Sequence, residues 1–189
     1  MNILLVSAYP NAKSFDAAIV KDIADNVPVK NNLKILDLYA DDFQPVLYFD
    51  NDHPRRELKN DPEMAKYRDL FTWAKQIIFV FPIWWGGMPA ILKGFVDRLI
   101  VAGFAYRYVD GHPTGLLTGR NAWIVTTYDS DNYAAHGEID YGYVLKNQVL
   151  LMSGIRTTAS FQLGNMKHTE ADKRESFLEK IKNAAQTLG

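Results

Sequence analysis

Gln76-Ile-Ile-Phe-Val-Phe81, with its continuation Pro82-Ile-Trp-Trp-Gly-Gly-Met-Pro-Ala-Ile-Leu-Lys-Gly-Phe95, decides how this chain of 189 residues is read. After the opening glutamine the first block is apolar without alternation, as a strand buried on both faces must be. An antiparallel strand with one wet face would alternate, so this run points to a parallel sheet covered by helices. Met88–Ile100 follows with apolar residues at helical spacing and Pro89 near its first turn, where a missing N–H costs nothing. Between strand and helix lie two tryptophans and two glycines, too apolar to sit freely in water.

Working outward, the same unit repeats. Asn2-Ile-Leu-Leu-Val-Ser7 is a second continuous apolar run, followed by a helix capped by Ser14 that reaches Asn26, with Phe15, Ala18, Ile19 and Ile23 at helical spacing. Leu33–Leu38 is predicted as a strand, residues 41–61 as a long polar excursion, and Pro62 as the start of a helix to Ala74. Residues 103–120, with Gly103, Gly111, Pro113, Gly115 and Gly119, read as a loop with room for a short hairpin. Ala122–Thr126 is strand four, Tyr143–Met152 a helix, Thr157–Leu163 strand five, and Thr169 the cap of a last helix from Glu170 to Leu188. Five β-α units with one composition regime and no internal repeat predict a single α/β domain over 1–189. Right-handed crossovers then give a three-layer sandwich around a five-stranded parallel sheet. The flavodoxin-like order 2-1-3-4-5 suits that count, and its ligand edge lies at the carboxyl ends of strands one, three and four.

Composition narrows the chemistry. A net charge of −1 with no Lys/Arg block gives no polyanion-binding surface, so no nucleic-acid partner is expected. No apolar run approaches the roughly 20 residues of a membrane span, and no secretory leader is recognisable, so the expectation is a cytoplasmic protein without stable membrane insertion. With no cysteine, thiolate nucleophiles, disulfides, iron–sulfur clusters and cysteine zinc sites are excluded. His53, His112, His136 and His168 show no close ligand spacing, so no metal is expected. Redox chemistry here would have to be carried by an organic cofactor.

Each of the three strand-end loops has something to offer a ligand. The first, Ala8-Tyr-Pro-Asn-Ala-Lys-Ser-Phe-Asp16, lacks both G-x-G-x-x-G and a P-loop. It still ends in a helix N-terminus whose amides and dipole suit a phosphate, although Ser14 can equally be a plain N-cap. The second, around Trp84-Trp85-Gly86-Gly87, offers a flat apolar wall and glycines that let backbone approach a ring. Core or dimer-interface aromatics are the alternative. The third, Thr126-Thr-Tyr-Asp-Ser-Asp-Asn-Tyr-Ala-Ala-His-Gly137, brings hydroxyls, Tyr133 and His136 together, side chains able to donate a proton or hydrogen bond near neutral pH.

Phe81-Pro-x-x-Trp-x-Gly-x-Pro-Ala-Ile-Leu-Lys-Gly-Phe95 resembles the corresponding block of the NAD(P)H:quinone oxidoreductase family, the DT-diaphorase-like branch of the flavodoxin-like flavoproteins. Ser14-Phe15, Asp37-Leu-Tyr-Ala40, Gly103-Phe-Ala-Tyr-x-Tyr108, Thr126-Thr127 and His168-Thr-x-Ala-Asp-x-Arg174 extend the likeness along nearly the whole chain. The resemblance implies an enzyme that passes two electrons by hydride transfer from NAD(P)H through a flavin to a quinone-like acceptor, in a ping-pong cycle. It implies that Tyr9, Ser14, Phe15 and Asp16 lie along the cofactor's phosphate and adenine side, and that Pro82, Ile83, Trp84, Trp85 and Gly86 line the flavin ring. Thr126 and Thr127 would touch the ring edge. Arg174 would reach the distal part, which favours FAD, with FMN as the alternative. Tyr133 and His136 would be the catalytic pair, and Phe104, Tyr106 and Tyr108 would wall the acceptor pocket from the partner subunit of a homodimer.

The chain also departs from that family. Tyr9 stands where His is usual and Asp16 where Asn is usual. Tyr128-Asp129 replaces a Gly-Gly pair, and the spacing from Tyr133 to His136 is short. Three rivals follow from the same sequence. A one-electron carrier would be more acidic for docking than this chain. An ancillary regulatory flavoprotein subunit of a potassium-efflux system is compatible with it, and a flavin-free remnant would follow from the lost glycines.

Overall fold

Alternate residues of three apolar strands divide between the two faces of one sheet. Ile3 and Leu5 of β1 (Asn2–Ser7), Ile78 and Val80 of β3 (Gln76–Pro82), and Trp123 and Val125 of β6 (Arg120–Thr127) pack on one side. Leu4, Val6, Ile77, Phe79, Phe81, Ala122 and Ile124 pack on the other. The period of two is the strand's own geometry, and burying both faces explains why these segments are apolar throughout. The computed structural model describes residues 1–129 and 140–189.

The sheet has five parallel strands in the order β2-β1-β3-β6-β7, with β2 at Asn32–Asp37 and β7 at Ile155–Leu163. Counting only the sheet strands, this is 2-1-3-4-5, the flavodoxin-like order. The two remaining strands, β4 (Tyr106–Val109) and β5 (His112–Gly115), form a separate antiparallel hairpin inside the glycine-rich 103–120 segment. Helices α1 (Phe15–Asn26) and α4 (Ala171–Gln186) cover one face, through Ile19, Ile23, Phe177 and Ile181. The other is covered by α2 (Ala65–Trp73), α3 (Ala90–Leu99) and a π-helical segment, Val144–Leu150. Among the described residues no helix is long and apolar enough to cross a membrane.

Several boundaries differ from the sequence expectation for local reasons. Pro62 opens a 3-10 turn, Pro62–Met64, capped by Asp61, whose carboxylate accepts from the Glu63 amide at 2.9 Å; the α-helix begins only at Ala65. Thr169 does not cap the last helix. Its hydroxyl is within hydrogen-bond distance of the carbonyls of Asn165, at 2.6 Å, and Gly164, at 2.9 Å, and Glu170 is the capping position. The 41–61 excursion contains a 3-10 segment, Arg55–Asn60. Ser14 is an N-cap as expected, with its hydroxyl accepting from the Ala17 amide at 3.1 Å.

Candidate functional site

The carboxyl ends of β1, β3, β6 and β7 open onto a cavity of about 400 Å³. From the β1–α1 loop come Tyr9, Ser14, Phe15 and Asp16; from the end of β3, Pro82, Ile83 and Trp84; from β6, Thr127, Tyr128 and Asp129. Met166 and Lys167 follow β7, and Arg174 reaches in from α4. Backbone pairing fixes these loops to the sheet. Ala8 N–H donates to Val80 at 3.1 Å, Ile83 N–H to Thr127 at 2.7 Å, and Tyr128 N–H to Leu163 at 3.0 Å. Met166 N–H returns to the Tyr128 carbonyl at 3.1 Å, and Lys167 N–H to the Asp129 carboxylate at 2.5 Å. The Tyr128-Asp129 pair therefore ties the loops after β6 and β7 together.

One wall is aromatic. The rings of Tyr9 and Trp84 are 6.0 Å apart and tilted by 56°, bringing the loops after β1 and β3 into contact. Trp84 and Gly87 pair reciprocally at 3.0 Å around Trp85 (φ +52°) and Gly86 (φ +75°), a tight hairpin turn with both central residues in the left-handed region. Glycine meets that demand without strain, whereas Trp85 meets it at a cost, with its indole in solvent.

The opposite end is polar. The first-turn amides of α1 have no carbonyl partners within the helix, and the dipole adds positive potential there. Arg174 donates from Nη2 to the Met166 carbonyl, and its guanidinium lies 5.9 Å from the Phe15 ring centroid. Its Nε is buried and has no hydrogen-bond partner among the described residues. Asp16 is 5% exposed, with Thr127 Oγ1 at 3.0 Å from Oδ2 and 3.2 Å from Oδ1. Burial pushes its carboxyl up to about 6, against the lowering effect of the Thr127 hydroxyl and its own amide.

Of the residues singled out in the sequence, Tyr9, Ser14, Phe15, Asp16, Pro82, Ile83, Trp84, Thr127 and Arg174 meet in this cavity. Trp85 and Gly86 form the turn outside it, and Thr126 is buried in β6 facing away from it. Phe104 and Tyr106 are taken up by their own chain's core, while Tyr108 is exposed on the hairpin; none lines the cavity. Tyr133 and His136 lie outside the described residues. Met166 and Lys167 carry no motif that marks them in the sequence. The available signal was their position, directly after the last sheet strand at the same edge and just before the His168–Arg174 stretch.

The flavodoxin-like fold family matches residues 1–188. An uncharacterized NAD(P)H oxidoreductase of Haemophilus influenzae is 30% identical, the match covering 95% of this chain and 91% of that protein. An FMN-dependent NADH:quinone oxidoreductase of Clostridium beijerinckii is 28% identical over 96% of both. The crystal structure of Smu.1420 from Streptococcus mutans covers all of both chains at 43% identity with a TM-score of 0.92. With its strand order and this sheet-edge cavity, the chain belongs to the flavodoxin-like fold family, and its relatives there include NAD(P)H oxidoreductases.

Proposed function

We propose that the protein binds one flavin in this cavity and passes two electrons from NAD(P)H to a quinone-like acceptor. The observation that carries the reading is the cavity's combination of an apolar aromatic wall, Tyr9-Pro82-Ile83-Trp84, with a polar part in which the α1 N-terminus, Lys167 and Arg174 stand beside Asp16 and Asp129. A planar ring with an anionic tail fits that combination, and Arg174 Nε, without a partner among the described residues, is a donor such a tail could use. When bound, the flavin would supply the hydride-level relay between donor and acceptor, each binding in turn over one ring.

The chain's own work is then to bind, orient and shield. Tyr9, Ile83 and Trp84 exclude water from the ring face, which strengthens every polar contact behind them. Ser14 fixes the first turn of α1 by taking the Ala17 amide, which presents the helix N-terminus to the cavity as an anion site. Tyr133 and His136, from the segment after β6, are the proposed pair that holds charge and proton during transfer. The cofactor is proposed as FMN in preference to FAD. Arg174, whose place on the last helix first favoured FAD, lines the same cavity as Ser14 and Asp16, and the Clostridium relative is FMN-dependent by name.

Assembly as a homodimer is part of the same proposal. Trp85 and Tyr108 expose large apolar side chains, as do Val46 and Tyr48 on the excursion, and a second copy would cover them. A visible spectrum of the purified protein, with chromatography of the released flavin, tests the reading. About one FMN per chain is expected, and a colourless protein that neither FMN nor FAD reconstitutes would overturn it.

A further inference from the structure

Asp16 is out of place electrostatically. It is a carboxyl in the first turn of α1, 5% exposed, inside a cavity that also holds the α1 N-terminus, Lys167 and Arg174. Its hydrogen-bond partner is the neutral Thr127 hydroxyl, and no ion pair holds it among the described residues. The charged and titratable groups facing the same cavity are Tyr9 from the β1–α1 loop, Tyr128 and Asp129 after β6, Lys167 after β7, and Arg174 on α4. The two cations do not neutralise Asp16. Arg174 turns to the Met166 carbonyl and the Phe15 ring, and burial is the dominant influence on the Asp16 carboxyl. An ionised Asp16 would repel a phosphate and compete with it for the same amides; a protonated one would do neither and would gain a donor.

We propose that the cavity takes up a flavin phosphate together with one proton, and that Asp16 carries the proton. This rests on the flavin-binding reading above and adds a determinant to it. The position makes cofactor affinity depend on pH, and it favours the acidic side. In the cofactor-free protein the carboxyl releases its proton as pH passes about 6. Above that value a bound phosphate must bring the proton back, so affinity falls with rising pH. The flavin's own phosphate, with a second ionisation near pH 6, acts in the opposite direction and is complete by about pH 7. The slope above that value therefore belongs to the protein.

The test is FMN titration of the cofactor-free protein from about pH 7 to 8.5, read by quenching of flavin fluorescence, with riboflavin as the phosphate-free probe. The expected result is an FMN dissociation constant rising on the order of tenfold per pH unit, the limit for one linked proton. Riboflavin affinity should stay level over that range, and Asp16→Asn should abolish the FMN slope and bind FMN more tightly than the parent near pH 8. Calorimetry in two buffers of different ionisation enthalpy should show uptake of about one proton per FMN by the parent and none by Asp16→Asn. FMN binding with a level pH profile, or the same slope in Asp16→Asn, would overturn the proton linkage while leaving the flavin site standing. Equal slopes for FMN and riboflavin would overturn the assignment to the phosphate. Failure of either flavin to bind at any pH would overturn the flavin reading and this inference together.

Discussion

At the scale of single residues, Asp16 has a consequence that needs no cofactor. In the unfolded chain its carboxyl titrates near 3.8, whereas in the folded protein burial holds it at about 6. The folded state therefore prefers the protonated form, and that contribution is complete below about pH 3.8 and lost as pH rises through about 6. Near neutral pH the buried carboxylate costs about 3 kcal/mol, at 1.36 kcal/mol per unit. Asp16→Asn should raise the stability of the cofactor-free protein by roughly 1–3 kcal/mol at about pH 7.5, with most of the gain gone by about pH 4. Urea denaturation at both values checks this, and an equal gain at both would contradict it. Tyr128 supports a second prediction. A Cβ on Gly164 would lie 2.4 Å from the Tyr128 ring, whose other neighbour is Tyr141 at 4.8 Å between centroids. Gly164→Ala should cost roughly 1–3 kcal/mol in the parent and much less in a Tyr128→Ala background, a coupling that a double-mutant cycle measures. Ser14 and Trp84 could be read from sequence because a cap and an apolar strand-end loop are local patterns. The Asp16 environment could not, since it depends on Thr127, which is 111 positions away.

Among elements, the excursion between β2 and α2 shows where sequence pattern stops being informative. Its polar, aperiodic residues predict a loop, and periodicity carries no information about what holds a loop down. Arg98, buried on α3, does so. Its Nη1 donates to the Gln44 carbonyl at 2.7 Å, and Nη2 to Asp61 at 2.8 Å and Glu63 at 2.7 Å. Gly94, one turn earlier on the same helix, admits the Pro45 backbone, whose carbonyl oxygen would lie 2.1 Å from any Cβ placed there. Arg98→Ala should cost roughly 2–3 kcal/mol, below the usual loss for a fully buried pair because water still reaches Asp61. Glu63→Gln should cost under about 1 kcal/mol, since that carboxylate is 73% exposed. Denaturation gives both values, and hydrogen exchange should show residues 41–63 losing protection first in Arg98→Ala. The sheet strands were readable because burial on both faces writes itself into six or more consecutive residues. The π-helical form of Val144–Leu150 was not, because its apolar spacing reads as an ordinary helix.

For the whole molecule, the decisive feature is the apolar surface left after both faces of the sheet are covered. Scattered exposed apolar residues are ordinary. Five of those in this chain lie on two projections that touch. The excursion carries Val46, Tyr48 and Phe49, and the hairpin carries Tyr108 and Val109. The two projections meet at Gly103, where an added Cβ would lie 2.6 Å from the Lys59 side chain. Beneath the excursion is a cavity of about 580 Å³, lined by Val46, Leu47, Tyr48, Pro54, Leu58 and Arg98, so the surface is concave as well as apolar. A two-fold interface places the same patch on both subunits, and a ridge beside a hollow can satisfy itself in that arrangement. Tyr108 then has a role that its own chain does not give it, as a projecting ring next to the partner. Sedimentation velocity at assay concentrations should show a dimer, and Tyr108→Ser combined with Val46→Ser should shift the protein toward monomer. Neither residue lines the proposed flavin cavity of its own chain, so the monomeric variant should retain flavin. It should lose quinone reduction if the partner completes the acceptor pocket. A parent protein that sediments as a monomer with full activity would mean that the exposed rings serve another purpose, and that each chain builds its acceptor site alone.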